Sequence, residues 1–358
     1  MSVAAGAAVG PPPGMRVRLS SNESPFGPSP QAVAAATVAV AEAHRYPDDA
    51  SLALRTALAA GTGRSVDEVA VGTGSAALLM DLIPDRCVGA DAPEVVTFAR
   101  AFVVYRLAAR NAVAHLVEVP TGGPAVGEEP GYARDVEALL AAVTDRTRVV
   151  VVDNPANPTA AHLSGAELEF LAAGLPEHVT LIVDEAYHDF ATGQQGYARV
   201  SELTLDHHDV VVLTTFSKAY ALAGLRIGAM TGPAEVVGAA DARRARFNVT
   251  APAQAAALAS LADHEHLAAT VAGTLAGRAQ LSEGLHGLGV PHTAGLGNFV
   301  TVELGRAAGP VVDAFAAAGI GVRPLAPYDL HEQIRITVGT PEEVAAVLEV
   351  APRILHRD

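Results

Sequence analysis

Thr214-Thr215-Phe216-Ser217-Lys218-Ala219-Tyr220-Ala221-Leu222-Ala223-Gly224-Leu225-Arg226-Ile227-Gly228 follows directly on an apolar run, Val210 to Leu213. The run has the composition of a buried strand. The segment after it sets a lysine among small hydroxyls, with an arginine eight residues on. A lysine held by packed structure in that company suits a Schiff-base site beside a phosphate. Upstream, short and nearly all-apolar strands are expected at Val69–Val71, Val95–Phe98, Val113–Val119, Arg148–Asp153, Val179–Asp184 and Asp209–Leu213. Helical patterns separate most of them, from Ala76 onward and over Phe102–Arg110, Arg134–Val143 and Gly165–Ala173. This alternation predicts an α/β fold with a mostly parallel sheet covered on both faces. Two helices, over 30–44 and Ser51–Ala60, precede it, the first with Pro30 in its opening turn.

After about Ala234 the pattern changes. A long Ala/Leu helical stretch, Gln254 to Leu285, leads to strands Asn298–Glu303, Ile320–Val322 and Gln333–Val338 and a closing helix from Pro341 to about Leu355. A second, smaller α+β lobe is expected there. The expected division is a tail over 1–16, an arm and helix over 17–45, a large lobe over 46–245 and a small lobe over 246–358.

Composition narrows the function classes. The 358 residues suffice for two lobes with cores of their own. Aromatics make up 4% and Trp is absent, so those cores are aliphatic. A net charge of −15 argues against a nucleic-acid footprint or an anionic membrane surface as partner. Cys87 is the only cysteine, which rules out an intramolecular disulfide and a thiolate metal cluster. No uninterrupted apolar run reaches the length of a membrane span, and the Pro-rich start (Pro11-Pro12-Pro13-Gly14) lacks the basic opening of a secretion signal. A cytoplasmic location is the expectation. His162, His188, His207 and His208 lack metal-ligand company at convincing spacing and are expected as surface or loop histidines, with no metal bound.

Three other stretches complement the lysine segment. Asp184-Glu185-Ala186-Tyr187 sits at the carboxyl end of a predicted strand, the edge where open α/β sheets collect ligands. A buried Asp184 there can hold a pyridine nitrogen protonated, and Tyr187 can reach a ring hydroxyl. Alone, an Asp-Glu pair at a strand end is better explained as a loop cap. Asn154-Pro155-Ala156-Asn157-Pro158-Thr159 fixes a turn from which Asn157 could donate its amide to the same ring oxygen. Gly72-Thr73-Gly74-Ser75 lies between a strand and a helix, where backbone N–H groups can approach a phosphate. It is neither a Walker motif nor a dinucleotide fingerprint. Pyridoxal 5'-phosphate needs all of these parts.

Taken in order, the chain from about Val17 resembles the fold-type I pyridoxal-phosphate enzymes, class I/II aminotransferases, and among them the histidinol-phosphate aminotransferase family with its aromatic aminotransferase branch. The carrying segments are Ser21-Asn22-Glu23-Ser24-Pro25-Phe26-Gly27-Pro28, Arg45-Tyr46-Pro47-Asp48, Gly72-Thr73-Gly74-Ser75, Asn157-Pro158-Thr159, Asp184-Glu185-Ala186-Tyr187, Ser217-Lys218-Ala219-Tyr220 and Arg335-Ile336-Thr337-Val338-Gly339. The resemblance implies a large domain with a mostly parallel seven-stranded sheet and a smaller C-terminal α+β domain. It implies Lys218 as the catalytic Schiff-base lysine, Asp184 on the pyridinium, and Asn157 and Tyr187 on the ring oxygen. Phe102 would stack on the ring. Gly74, Ser75, Ala76, Ser217 and Arg226 would surround the phosphate. Tyr46 would reach the cofactor of a neighbouring subunit in a homodimer with shared sites. Arg335, Arg323, Asn22 and Phe26 would face a small amino acid or 2-oxo acid substrate. Arg323 is equally well read as a solvated strand-end residue.

The chain departs from many histidinol-phosphate members. Ala76-Ala77 replaces an acidic pair, Phe26 replaces a phosphate-contacting tyrosine, and Ala99-Arg100-Ala101 and Ala160 break smaller patterns. The expected activity is ping-pong transamination of an aromatic or related amino acid. Histidinol phosphate is the alternative, and a lyase, decarboxylase or cyclase on the same scaffold is a further one.

Overall fold

The computed structural model describes residues 16–124 and 131–355, so the Pro-rich start lies outside the described residues. The chain opens with β1 (Val17–Arg18), α1 (Pro30–Ala41) and α2 (Leu52–Thr62). Ser29 caps α1 by accepting from the backbone N–H of Gln31 at 3.1 Å, and Pro30 takes the first helical position as its fixed φ favours.

The large sheet and its helices follow: β2 (Val69–Gly72), α3 (Ser75–Cys87), β3 (Glu94–Phe98), α4 (Val104–Asn111), β4 (His115–Val119), α5 (Val136–Ala141), β5 (Thr147–Asp153), α6 (Gly165–Gly174), β6 (Thr180–Asp184), α7 (His188–Ala191), β7 (Val210–Thr215), β8 (Gly228–Thr231) and α8 (Ala234–Asp241). The seven strands are ordered β2-β8-β7-β6-β5-β3-β4. All pair in parallel except β8, which runs antiparallel to both neighbours.

Alternate residues of each central strand bury on opposite faces. Val149, Val151, Ile182, Val211 and Leu213 pack with Leu78, Leu79 and Leu82 of α3. Val150, Val152, Leu181 and Val183 pack with Leu168 and Leu171 of α6. Burial on both faces explains why these strands read as unbroken apolar runs. Register then sets the polar ends level: Asp153 pairs with Asp184, Asp184 with Leu213, and Thr215 with Gly228, itself opposite Gly72. The carboxyl edge of the sheet thus gathers Asp153, Asp184, Thr215 and the start of α3 into one place.

The remainder comprises α9 (Ala251–Ala262), α10 (His264–Gly287), β9 (His292–Thr293), β10 (Phe299–Glu303), α11 (Ala308–Ala317), β11 (Ile320–Gly321), β12 (Arg323–Pro324), β13 (Gln333–Thr337) and α12 (Pro341–Leu355). The Ala/Leu helical stretch read from sequence forms two helices, α9 and α10. They break at Asp263, whose carboxylate accepts from the His266 N–H at 3.2 Å and caps α10. Four strands form an antiparallel sheet, β12-β13-β10-β9, over a core that includes Val300, Ile334, Phe315 and Val347. Val17 of β1 pairs with Ile320 of β11, and Leu19 joins that same core. No helix among the described residues is long and apolar enough to cross a membrane.

Candidate active site

A cavity of ≈ 350 Å³ opens at the carboxyl edge of the large sheet. Its walls come from the β5, β6 and β7 ends, the start of α3, the Ser20–Glu23 segment, and the β12–β13 region.

Lys218 follows β7 and reaches into the cavity, half-buried. Its Nζ donates to the Ser21 carbonyl at 3.3 Å and lies 5.8 Å from the centre of the Tyr187 ring. Burial, reinforced by the Arg335 and Arg226 guanidiniums, pushes the amine down to about 7 against the pull of Glu23 and Asp184. A lysine so placed is a nucleophile near neutral pH, where an ordinary lysine is a fixed cation.

Asp184 is buried at the end of β6. Burial, then the neighbouring Asp153 charge, pushes its carboxyl up to about 7, although Tyr105 Oη and the Ala186 N–H both donate to it at 3.2 Å. Asp153 differs because Arg134 pairs with it at 2.5 Å, while its other oxygen accepts from the backbone N–H groups of Phe102 and Asn157. Among the described residues Asp184 has no cation partner. A protonated ring nitrogen is the kind of group that removes this deficit.

The opposite end of the cavity has the reverse imbalance. Gly74 caps α3 at φ +91°, so the first N–H groups of that helix face outward. Arg226, held in the left-handed region, donates to Ser217 Oγ at 3.4 Å and to the Ala223 carbonyl at 2.8 Å, and has no carboxylate partner among the described residues. A Cβ on Gly74 would come 2.8 Å from Arg226 Nη2, and one on Gly228 would come 2.5 Å from the Ser75 nitrogen. The two glycines keep the arginine and the helix start together. A helix N-terminus, two hydroxyls and a free guanidinium suit a phosphate.

Between these ends, Asn157 Oδ1 accepts from Arg335 Nη1, which leaves the Asn157 amide N–H free to donate into the cavity. Tyr187 is buried and its hydroxyl accepts from Asn22 Nδ2 at 2.9 Å; burial pushes its phenol up to about 12. Asn22 is itself fixed by two bonds with Thr337 and one from Asn298. The donor set therefore fits pyridoxal phosphate: an anion at one pole, hydroxyl and amide partners at the middle, and a cationic cradle at the other.

Arg335 is 4% exposed, donates to Ser20 O at 3.0 Å and lies over Phe299 at 5.3 Å. Burial pulls its guanidinium below the usual arginine range, and its Nε is buried without a partner. It has no carboxylate partner among the described residues. Arg323, exposed, also lines the cavity, as do Phe102 and Ala76.

Two expected residues lie elsewhere. Phe26 does not line the cavity; its ring rests on α10 where a Cβ at Gly273 would come within 2.6 Å. Tyr46 is 82% exposed and stacks on Phe247 at 4.5 Å, outside the cavity of its own chain. His188, expected at the surface or in a loop, is buried in α7 with Nδ1 2.7 Å from the Glu185 carbonyl and Nε2 3.3 Å from Asp189. Asp153, Arg134, Tyr105 and Tyr328 are site residues that motif reading missed. Asp153 was detectable as a strand-end acid level with Asp184; nothing in the local sequence marks the other three.

A family model described as aminotransferase class I and II matches residues 15–350. A histidinol-phosphate aminotransferase of Akkermansia muciniphila is 38% identical over 339 residues, covering 95% of this chain and 90% of the relative. An aromatic amino acid aminotransferase of Rhodococcus opacus is 39% identical over 336 residues, covering 94% and 89%. The crystal structure of histidinol-phosphate aminotransferase from Sinorhizobium meliloti in complex with pyridoxal-5'-phosphate superposes with a TM-score of 0.84 at 29% identity, covering 95% of this chain and 91% of that one.

Proposed function

Because this chain belongs to the class I and II aminotransferase family, a family of pyridoxal phosphate-dependent transaminases, we propose that it transfers the amino group of histidinol phosphate to a 2-oxo acid. The observation that carries the choice of substrate is the pair Arg335 and Arg323, two cations that line one cavity and have no carboxylate partner among the described residues. Histidinol phosphate carries a phosphate dianion, and no carboxylate, next to the carbon that bears the amine. Two guanidiniums match a dianion better than the single carboxylate of an aromatic amino acid. The relatives named histidinol-phosphate aminotransferase support the same choice. This reverses the preference drawn from Phe26, since a residue turned onto α10 leaves the cavity unaltered.

The bound cofactor supplies a carbonyl for amino exchange and an electron sink. Lys218 would hold the cofactor, and its Nζ would take the proton from the substrate carbon that carries nitrogen. An amine near 7 can both accept and return that proton at neutral pH. Asp184 would keep the ring nitrogen protonated, Asn157 and Tyr187 would bond the ring oxygen, and Gly74, Ser75, Ser217 and Arg226 would hold the phosphate. Phe102, which lines the same cavity, would lie against the ring. Arg335 and Arg323 orient the substrate anion.

An aromatic amino acid is the second reading, favoured by Ala76 and by the Rhodococcus relative. Stopped-flow absorbance of the holoenzyme, mixed in turn with histidinol phosphate, phenylalanine, tyrosine and glutamate, separates the two. Fastest conversion of the cofactor to its amine form by histidinol phosphate is expected among the first three. Faster conversion by the aromatics promotes the second reading. Carbon dioxide release in place of a 2-oxo product removes both.

A further inference from the structure

Tyr328 lines the active-site cavity together with Arg323 and Arg335. It stands between them in sequence, on the turn that links β12 to β13. The residue is 4% exposed, and its ring packs with Tyr132, Leu325 and Leu330. Arg335 directs Nη1 to Asn157 and Nη2 to the Ser20 carbonyl, and no hydrogen bond of regular geometry reaches the Tyr328 hydroxyl among the described residues. That hydroxyl is nonetheless not sealed, as Arg335 Nε is, so the surface left to it faces the cavity. Burial raises the phenol above its ordinary value, against the pull of Arg335 and then of Arg323. At neutral pH Tyr328 therefore carries its proton and can donate it.

The turn is held from both lobes. Residues Ala326–Tyr328 form a single 3₁₀ turn, ended by Asp329 in the left-handed region at φ +60°. The Tyr328 N–H donates to the Leu325 carbonyl at 2.9 Å. Arg106 of α4 donates to Asp329 Oδ2 at 2.8 Å and to the Pro327 carbonyl at 3.3 Å, and pairs with Glu118 at 3.0 Å. Both chain neighbours of Tyr328 are thus tied to the large lobe, and the phenol has a fixed place beside two cations. A phenol so placed is a further donor to any anion that the two guanidiniums hold.

We propose that Tyr328 is a specificity-determining residue whose hydroxyl donates to the phosphate of the substrate beside Arg335 and Arg323, a role that rests on the reading of those two arginines as the substrate-anion site. A carboxylate has two oxygens, and one planar guanidinium fork engages both. A phosphate monoester has three terminal oxygens. A donor beyond the fork gains an oxygen of its own in the phosphate and only shares one in a carboxylate. Removing the Tyr328 hydroxyl therefore costs a phosphate substrate more than a carboxylate substrate.

Stopped-flow absorbance of the holoenzyme tests this by following cofactor conversion with histidinol phosphate and with phenylalanine in the parent, Tyr328→Phe and Arg335→Lys. Thermal melts confirm folding. Tyr328→Phe keeps the ring and its packing and removes only the oxygen. It is expected to lower the second-order rate constant for histidinol phosphate about tenfold or more, as loss of a hydrogen bond to a charged group predicts. The loss should lie in a higher half-saturating concentration with the limiting rate kept, and phenylalanine should lose much less. Equal losses for the two substrates give Tyr328 a structural part only and overturn the proposal, as does no loss for either. Arg335→Lys shows which reading has failed. If it slows both substrates while Tyr328→Phe slows neither, or both alike, the arginine site stands and Tyr328 has no part in it. If Arg335→Lys slows neither, the substrate anion lies elsewhere and both readings fall. A parent that converts phenylalanine and not histidinol phosphate removes the phosphate that the proposal requires.

Discussion

Asp184 and Asp153 are neighbouring aspartates with opposite fates. Arg134 neutralises Asp153, whereas Asp184 is buried without a cation and is pushed up to about 7. Its folded value lies above the unfolded 3.8, so between about pH 4 and 7 the unfolded chain loses the proton more readily. The contribution of Asp184 to the stability of the cofactor-free chain therefore falls as pH rises through that window. It is intact below 4 and fully lost above 7. Asp184→Asn is expected to match the parent in thermal melts near pH 4 and to gain about 1.4 kcal/mol per pH unit across the window, while losing transamination. A variant that gains nothing at pH 8 would refute this burial argument. Arg335 presents the converse case, a buried cation awaiting an anion. Arg335→Lys retains the charge but loses the planar fork, so kcat/KM should fall about 10- to 100-fold, as expected for loss of a charged hydrogen bond. An unchanged kcat/KM would place the substrate anion elsewhere.

At the scale of elements, the parallel core was legible because both-face burial writes itself as apolar runs. Val149–Val152 and Leu181–Val183 could hardly be anything but central strands. The antiparallel β8 was not, because Gly228-Ala229-Met230-Thr231 is short and carries neither alternation nor a β-branched run. Its role is positional: Gly228 lies opposite Gly72 and Thr215 and lets the start of α3 approach the sheet edge. The Gly74-Ser75 motif was readable, but the glycine that makes room for it was not, since it belongs to a different element. A Cβ at Gly228 meets backbone, namely the Ser75 nitrogen at 2.5 Å and the Thr214 carbonyl at 2.9 Å, and no rotamer change relieves that. Gly228→Ala is expected to lower stability by about 1–3 kcal/mol as an overpacked site and to weaken cofactor retention at least as much as stability. Equilibrium dialysis against the cofactor checks the second effect. Unaltered retention would mean that α3 does not hold the phosphate.

Across the whole molecule, the site is assembled from residues far apart in sequence, which is why its anchors were harder to read than its motifs. Arg335 meets Asn157 across 178 positions, and Thr301 Oγ1 donates to the Pro158 carbonyl, tying the two sheets together at the cavity. Tyr46 is the residue this single chain leaves without a task. It is a large aromatic at 82% exposure, stacked on Phe247, and remote from its own cavity. A symmetric dimer in which each Tyr46 reaches the cofactor phosphate of the other subunit gives it one, and an isologous interface presents both copies at once. Tyr46→Ala subunits keep Lys218, and Lys218→Ala subunits keep Tyr46. Refolding the two together produces mixed dimers in which one site combines the intact lysine with the intact tyrosine. Transamination in the mixture is expected to exceed that of either variant alone, with cofactor retained at that repaired site. Equal activity in the mixture and the Tyr46→Ala parent would confine Tyr46 to its own subunit and leave each active site complete within one chain.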